Sequence, residues 1–391
     1  MNQNWKAICE GISKSLLNID ISIPEDVSWD IVFEESKKQS IAALAYDGLY
    51  LHVPSITKDK WKRIALISVA NSFHIVRETG QLSSVLINNS IPTCILKGTA
   101  SAVYYPQPLN RTMGDVDFIV PAECFDQAKV LLCTNGYVID KAEENNPRHL
   151  ILRKNGIVFE MHHYFGYGND AIDSYIERCW QKTEIKRIND TSFPMLPALE
   201  NGLILLVHLK QHLYEGLGIR QLLDWMMYVN EVLDDDFWYS RFQNEARLLG
   251  VEQLAIVAAH LCQMYLGLSK NITWCSMADE SICNHLFDNI IQAGNFGKNH
   301  ADGKAIEKTI INLRRQGIFK YLQKAGEYNW KAYHNHHWLK PFAWAYQIRR
   351  FIRQGIATGR NSKEMRFDFS RSTDRYNLLN ELKLLNDSLE E

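Results

Sequence analysis

The chain has 391 residues, 46% hydrophobic and 23% charged, which is the make-up of an ordinary globular protein with room for two or three cores. Its 43 Lys and Arg against 45 Asp and Glu leave a net charge of -2, so composition advertises no general nucleic-acid or membrane surface, and any polyanion site must be local. No run approaches the roughly 18 apolar residues that a bilayer-spanning helix requires. The eight cysteines are scattered without a CxxC pair, and the N-terminus lacks an h-region and a small-residue cleavage site, so a cytoplasmic chain with buried thiols is expected.

Trp5, Ile8, Ile12 and Leu16 fall at helical spacing and predict a first helix. The stretches beginning at Ser28 and Thr57 repeat apolar residues every three to four positions, so residues 1–88 are read as an N-terminal helical region. At Ile91 the texture changes. IPTCIL predicts a short strand, Lys97-Gly98-Thr99 the turn into a helix through Ala100 to Tyr105, PQPLNR a loop, and GDVDFIVP a second strand. A helix then runs through ECFDQAKVLLCTNG to Asn135 and Gly136, which suit a left-handed C-terminal turn. HLILRK and IVFEMHHYF read as two further strands joined by Asn155-Gly156, the strongest short hairpin signal. Beyond Pro197 the periodicity is helical again. The expected class is α+β: a small mixed sheet within a core at 89–197, flanked by the N-terminal helices and a larger helical region at 198–391.

Asp115 and Asp117 stand two apart on a predicted strand, so their side chains project from one face. Two carboxylates held together repel unless a cation lies between them, and hard oxygen ligands suit Mg²⁺ or Mn²⁺. Asp-x-Asp alone is common on solvated surfaces, so its surroundings matter. Glu160 sits on a strand whose Ile157, Phe159 and Met161 point the other way; if that strand lies beside the Asp115–Asp117 strand, three acids cluster as in two-metal nucleotidyl transfer. The structural alternative pairs Glu160 with Arg153 across the hairpin. Lys97 and Arg111 flank the acids and can neutralise phosphate, Lys as a point charge and Arg with a fork; solvent-facing cations are the plainer reading. Gly98 and Thr99 open a helix where backbone N–H groups permit close approach of a phosphate, although a tight turn would need the same glycine.

This order of LKG, the Tyr104-Tyr105 helix, Arg111, GDVDFIV, a helix ending before Gly136-Tyr137, and Glu160-x-His162 resembles the uncharacterised bacterial nucleotidyltransferases of the DNA polymerase beta-like superfamily. The similarity extends weakly to WDIVFEESKKQSIAALAYDGL and to HLKQHLYEGLGIRQLLDW, and so covers most of residues 28–230. The resemblance implies a nucleoside triphosphate held through Lys97, Gly98 and Thr99, and a Mg²⁺ or Mn²⁺ held by Asp115, Asp117 and Glu160. It further implies transfer of a nucleoside monophosphate to an unidentified acceptor, a small molecule, sugar, protein or RNA, with release of pyrophosphate. A departure from the superfamily pattern is Gly98-Thr99 in place of Gly-Ser or Gly-Gly. The alternative is a catalytically weak nucleotide-binding or regulatory module on the same fold.

Further residues carry weaker signals. His208 and His212, four apart on a predicted helix, share a face but show no third zinc ligand, so packing or a hydrogen bond to substrate is the reading for His208. Arg220 and Asp224 form another such pair, and the resemblance makes them structural or nucleotide-proximal. HNHHW at 334–338 fits no familiar ligand spacing. The segment from Arg349 to Arg375 carries eight Lys or Arg against three Asp or Glu, which suits a solvated helix face more than an RNA contact.

Overall fold

A computed structural model of the chain describes residues 1–141, 149–166, 171–178, 182–214, 216–294, 317–330, 336–357 and 362–385, with 314 and 332. Four helices lead in: α1 Gln3–Leu17, α2 Trp29–Lys38, α3 Ala42–Leu49 and the long α4 Ser55–Asn88. They follow the apolar spacing read from the sequence, with Trp5, Ile8, Ile12 and Leu16 of α1 all buried. The sheet strands are β1 Cys94–Leu96, β2 Asp115–Ile119, β3 Val138–Ile139, β4 His149–Lys154, β5 Ile157–His162, β6 Glu184–Ile188 and β7 Thr191–Met195. Between them stand α5 Lys97–Ala102, α6 Phe125–Thr134 and α7 Ala171–Glu177, and beyond Pro197 come α8 Ala198–Leu213 and α9 Ile219–Val232.

The strands form one mixed sheet in the order β3-β4-β5-β2-β1-β7-β6. The β2–β5 and β1–β7 pairs are parallel and the other neighbours antiparallel. The chain is thus α+β, a mixed sheet between helical regions, as its patterning predicts. At the β4–β5 hairpin Asn155 and Gly156 take φ of 51° and 78°, the two positive values that a type I′ turn demands and that this pair tolerates best. Alternation divides the sheet between two cores. Ile95, Val116, Phe118, Phe159 and Met161 join Ile75, Val76, Leu82 and Leu86 of α4 and Ala128 and Leu132 of α6. Cys94, Leu96 and Ile119 join a second core with residues of α8 and α9, and helices α1 to α3 contribute to that same core. Gly202 is where α8 meets α9, since an added Cβ would lie 2.3 Å from Tyr228 Cζ.

The sheet is larger than the sequence suggested. The β6–β7 hairpin adds to the strands read from the sequence, and it carries Pro194 in an interior strand, where proline is uncommon. It is tolerated because β7 meets β1 in register at Ile95↔Met195, one residue beyond the proline. No disulfide joins the seven described cysteines, and Cys9, Cys94, Cys262, Cys275 and Cys283 are buried. Among the described residues no helix is long and apolar enough to cross a membrane. His334 lies outside the described residues, as do the side chains of Phe351, Phe367 and Phe369 in the basic segment.

Candidate active site

β2 and β5 run side by side with Asp117 opposite Glu160, Asp115 opposite Val158 and Ile119 opposite His162. The strand period of two therefore puts Asp115, Asp117, Glu160 and His162 on one face, away from α4 and α6. On the other side of β2, Leu96 at the end of β1 pairs with Asp117, so Lys97 emerges beside that carboxylate. Its Nζ lies 2.7 Å from Asp117 Oδ1 and 5.5 Å from the centre of the Phe165 ring. Lys97 reaches this place at a φ of 48°, a left-handed conformation that costs a side-chain-bearing residue roughly 1–2 kcal/mol. His162 Nε2 is 2.9 Å from the same Asp117 oxygen and 3.7 Å from Glu160 Oε2.

The electrostatics follow from this crowding. Burial would raise the Asp117 carboxyl, but Lys97 and the hydrogen bond from His162 hold it well below the usual carboxylate range. Burial, then the Asp117 charge, raises Asp115 and pushes Glu160 up to about 8. Burial, reinforced by Lys97, lowers His162 to about 4, so the ring is neutral at pH 7. Lys97 lowers all three acids, and Arg220 and Arg111 also lower Asp115, yet burial and the Asp117 charge leave Asp115 and Glu160 resisting ionisation. This face is short of positive charge. Its donors, carboxylate oxygens and an imidazole nitrogen, are those that hold a divalent cation, and the ligand atoms of Asp117, Glu160 and His162 all lie within 4.8 Å of one another.

Other predicted site residues are held by contacts within the protein. Arg111 does not stand open to solvent as a phosphate fork: its Nε and Nη2 donate at 2.7 Å to the two oxygens of Asp224. The pair is 4% and 3% exposed, and Tyr105 donates its hydroxyl to Asp224 Oδ1 at 2.8 Å. Asp224 therefore acts across elements, tying the loop before β2 to α9. Arg220, one turn earlier, donates from Nη1 to the Thr112 carbonyl at 3.0 Å. Thr99 is likewise turned inward, buried with its hydroxyl 3.3 Å from that of Thr79 on α4. Gly98 is not required by packing: an added Cβ would meet Arg111 Nη1 at 3.6 Å and the Asp115 carbonyl at 3.7 Å, ordinary contacts, so its smallness is free to serve a ligand.

His208 and His212 do face each other on α8, Nε2 to Nε2 at 2.7 Å, and burial followed by His212 keeps His208 well below its ordinary value. Among the described residues no third ligand completes a metal group with them. Arg153 does not pair with Glu160 but donates to Asp140, at 2.8 Å from Nη2. The residue that sequence reading left without a role is His162. Its signal was the two-residue spacing from Glu160, which on a strand means one face.

A family model described as "Uncharacterised nucleotidyltransferase" matches residues 25–267, a span that contains every residue of this site. Among solved structures, an antigenic nucleotidyltransferase-like protein from Paracoccidioides brasiliensis is similar at 15% identity and a TM-score of 0.36, over 51% of this chain and 91% of that one. No curated protein matches.

Proposed function

Because the chain belongs to the nucleotidyltransferase family whose model it matches over residues 25–267, we propose that its carboxylate face transfers a nucleoside monophosphate from a nucleoside triphosphate to an acceptor. In the proposed step an acceptor hydroxyl oxygen bonds to the α-phosphorus as the bond to the β-bridging oxygen breaks. Pyrophosphate departs, and the hydroxyl proton passes to water. Asp115, Asp117 and Glu160 would hold divalent cations, Mg²⁺ or Mn²⁺, whose charge there would stabilise the attacking and leaving oxygens.

The observation that carries this reading is the deficit of positive charge. Three acids share one face, with Asp117 held ionised by Lys97 and with Asp115 and Glu160 raised. Lys97 occupies, at 2.7 Å from Asp117, a place that a cation carried by the triphosphate would contest. Displaced from Asp117, its ammonium is within reach of the phosphate oxygens, and Gly98 leaves room for them beside it. The buried Arg111–Asp224 pair and Arg220 act on this site by fixing the backbone of residues 111–112 that leads into β2. Asp115 and Asp117 are thereby presented at a fixed height above the sheet.

Thermal melting in the four nucleoside triphosphates, each with and without Mg²⁺ or Mn²⁺, tests the reading. A ligand that binds only the folded state must raise the melting temperature. At a ligand concentration of 100 times Kd the gain is about 2.7 kcal/mol. Stabilisation is expected from triphosphate and cation together and not from triphosphate with a chelator. Equal stabilisation in both would remove the cation from the site.

A further inference from the structure

We infer that His162 is itself a cation ligand beside Asp117 and Glu160, and that the site therefore selects a first-row transition cation such as Mn²⁺ over Mg²⁺. This selectivity rests on the reading of Asp117 and Glu160 as cation ligands, and it adds a nitrogen donor to a set drawn from the sequence as oxygen alone.

The geometry comes first. Among the described residues, Asp117, Glu160 and His162 form the one group of three metal-ligating side chains with all ligand atoms within 4.8 Å. Asp115 shares their face but is not in that group. His162 Nε2 lies 2.9 Å from Asp117 Oδ1 and 3.7 Å from Glu160 Oε2. Ligands bonded at about 2.1 Å to a six- or four-coordinate cation stand roughly 3.0–3.4 Å apart, so these atoms bracket the required spacing. They are also held on rigid elements. Asp117 and Glu160 are register partners on adjacent strands, and His162 ends the same strand as Glu160 opposite Ile119. The His149 and Phe165 rings flank the imidazole with centroids 5.5 Å and 6.4 Å away.

A merely structural role does not explain the imidazole. Donating a hydrogen bond to Asp117 requires one N–H or O–H, which a smaller or simpler side chain supplies. His162 is 3% exposed, and among the described residues its second nitrogen, Nδ1, has no hydrogen-bond partner; with Nε2 on a cation, Nδ1 carries the ring's one proton. The chemistry then sets the preference. Mg²⁺ is bound by oxygen ligands and retains water, whereas imidazole nitrogen suits the first-row transition cations, whose affinities rise along the series from Mn²⁺.

The test is a titration of the metal-free full-length protein with Mn²⁺, followed by electron paramagnetic resonance, with Mg²⁺ as competitor. Wild type, His162→Ala and His162→Gln are compared; the glutamine keeps an N–H for Asp117 and guards against loss of fold. Wild type is expected to bind Mn²⁺ at least tenfold more tightly than Mg²⁺, with spin-echo modulation from a directly bound ¹⁴N. In both variants the nitrogen modulation should vanish and the preference fall below threefold, through weaker Mn²⁺ binding at nearly constant Mg²⁺ affinity. Binding of both ions without nitrogen modulation, or with a preference unchanged in His162→Gln, overturns the inference and leaves the transferase reading intact. Failure of wild type to bind either ion, with or without ATP, overturns both.

Discussion

Replacing Glu160 by glutamine is expected to lower nucleotidyl transfer at least a hundredfold per folded molecule while changing triphosphate affinity only a few-fold. The loss corresponds to about 3 kcal/mol in the barrier, the size expected when a group that acts on the reacting oxygens is removed. Glutamine keeps the shape and the hydrogen-bonding capacity of the side chain and deletes its ionisable oxygen. The fold should not suffer. Glu160 faces Asp117 across the β2–β5 register, and burial with that neighbouring charge pushes it up to about 8, so in the cation-free protein it is mostly protonated at pH 7 and the neutral amide replaces a neutral acid. The rival role as the ion-pair partner of Arg153 is not available, since Arg153 donates to Asp140 and faces Val158 in the hairpin register. Pyrophosphate release and melting temperature measured on one preparation decide the matter. A destabilised protein with near-normal turnover would remove Glu160 from the catalytic set.

Asp224→Ala is expected to destabilise the protein by about 3–5 kcal/mol, the usual consequence of stripping one partner from a buried ion pair. The Arg111 guanidinium, 4% exposed, would lose both of its 2.7 Å acceptors and keep its charge out of water. Tyr105 would lose its acceptor as well. Replacing both members together, as Arg111→Met with Asp224→Leu, should recover most of that loss, because two apolar side chains strand no charge. Denaturant titration of the three proteins measures this. A loss below about 1 kcal/mol in Asp224→Ala would mean that the pair does not hold the loop before β2 to α9, and that Arg111 is free to serve the triphosphate after all.

What the sequence made legible was periodic and local. The two-residue spacings Asp115-x-Asp117 and Glu160-x-His162 fixed which side chains share a strand face, and Asn155-Gly156 fixed the hairpin that sets the register of β5. That Asp117 stands opposite Glu160 depends on strand order, which no spacing reveals. The partnership of Arg111 with Asp224 spans more than a hundred residues of chain and stayed hidden for the same reason. Arg220-x-x-x-Asp224 pointed to a helix-surface pair, whereas Asp224 turns inward to the loop before β2. Lys97 was legible as a cation flanking the acids but not as the counter-ion of Asp117, a contact made by its left-handed turn at the end of β1. The contact of the Thr99 hydroxyl with Thr79 on α4 was not legible either, because it joins two elements twenty residues apart.

The most direct measurement of the central claim is calorimetric titration of α,β-methylene-ATP, which cannot undergo the transfer, into wild type and Asp115→Asn, with and without a divalent cation. Asp115 is the acid to change, because substituting Asp117 would also strip Lys97 of its partner at 2.7 Å. Asp115 is raised by burial and by Asp117, so its neutral replacement should leave the cation-free protein at least as stable. The account predicts binding to wild type only with the cation, and at least a tenfold loss of that binding in Asp115→Asn at an unchanged melting temperature. Undiminished cation-dependent binding by Asp115→Asn would contradict it.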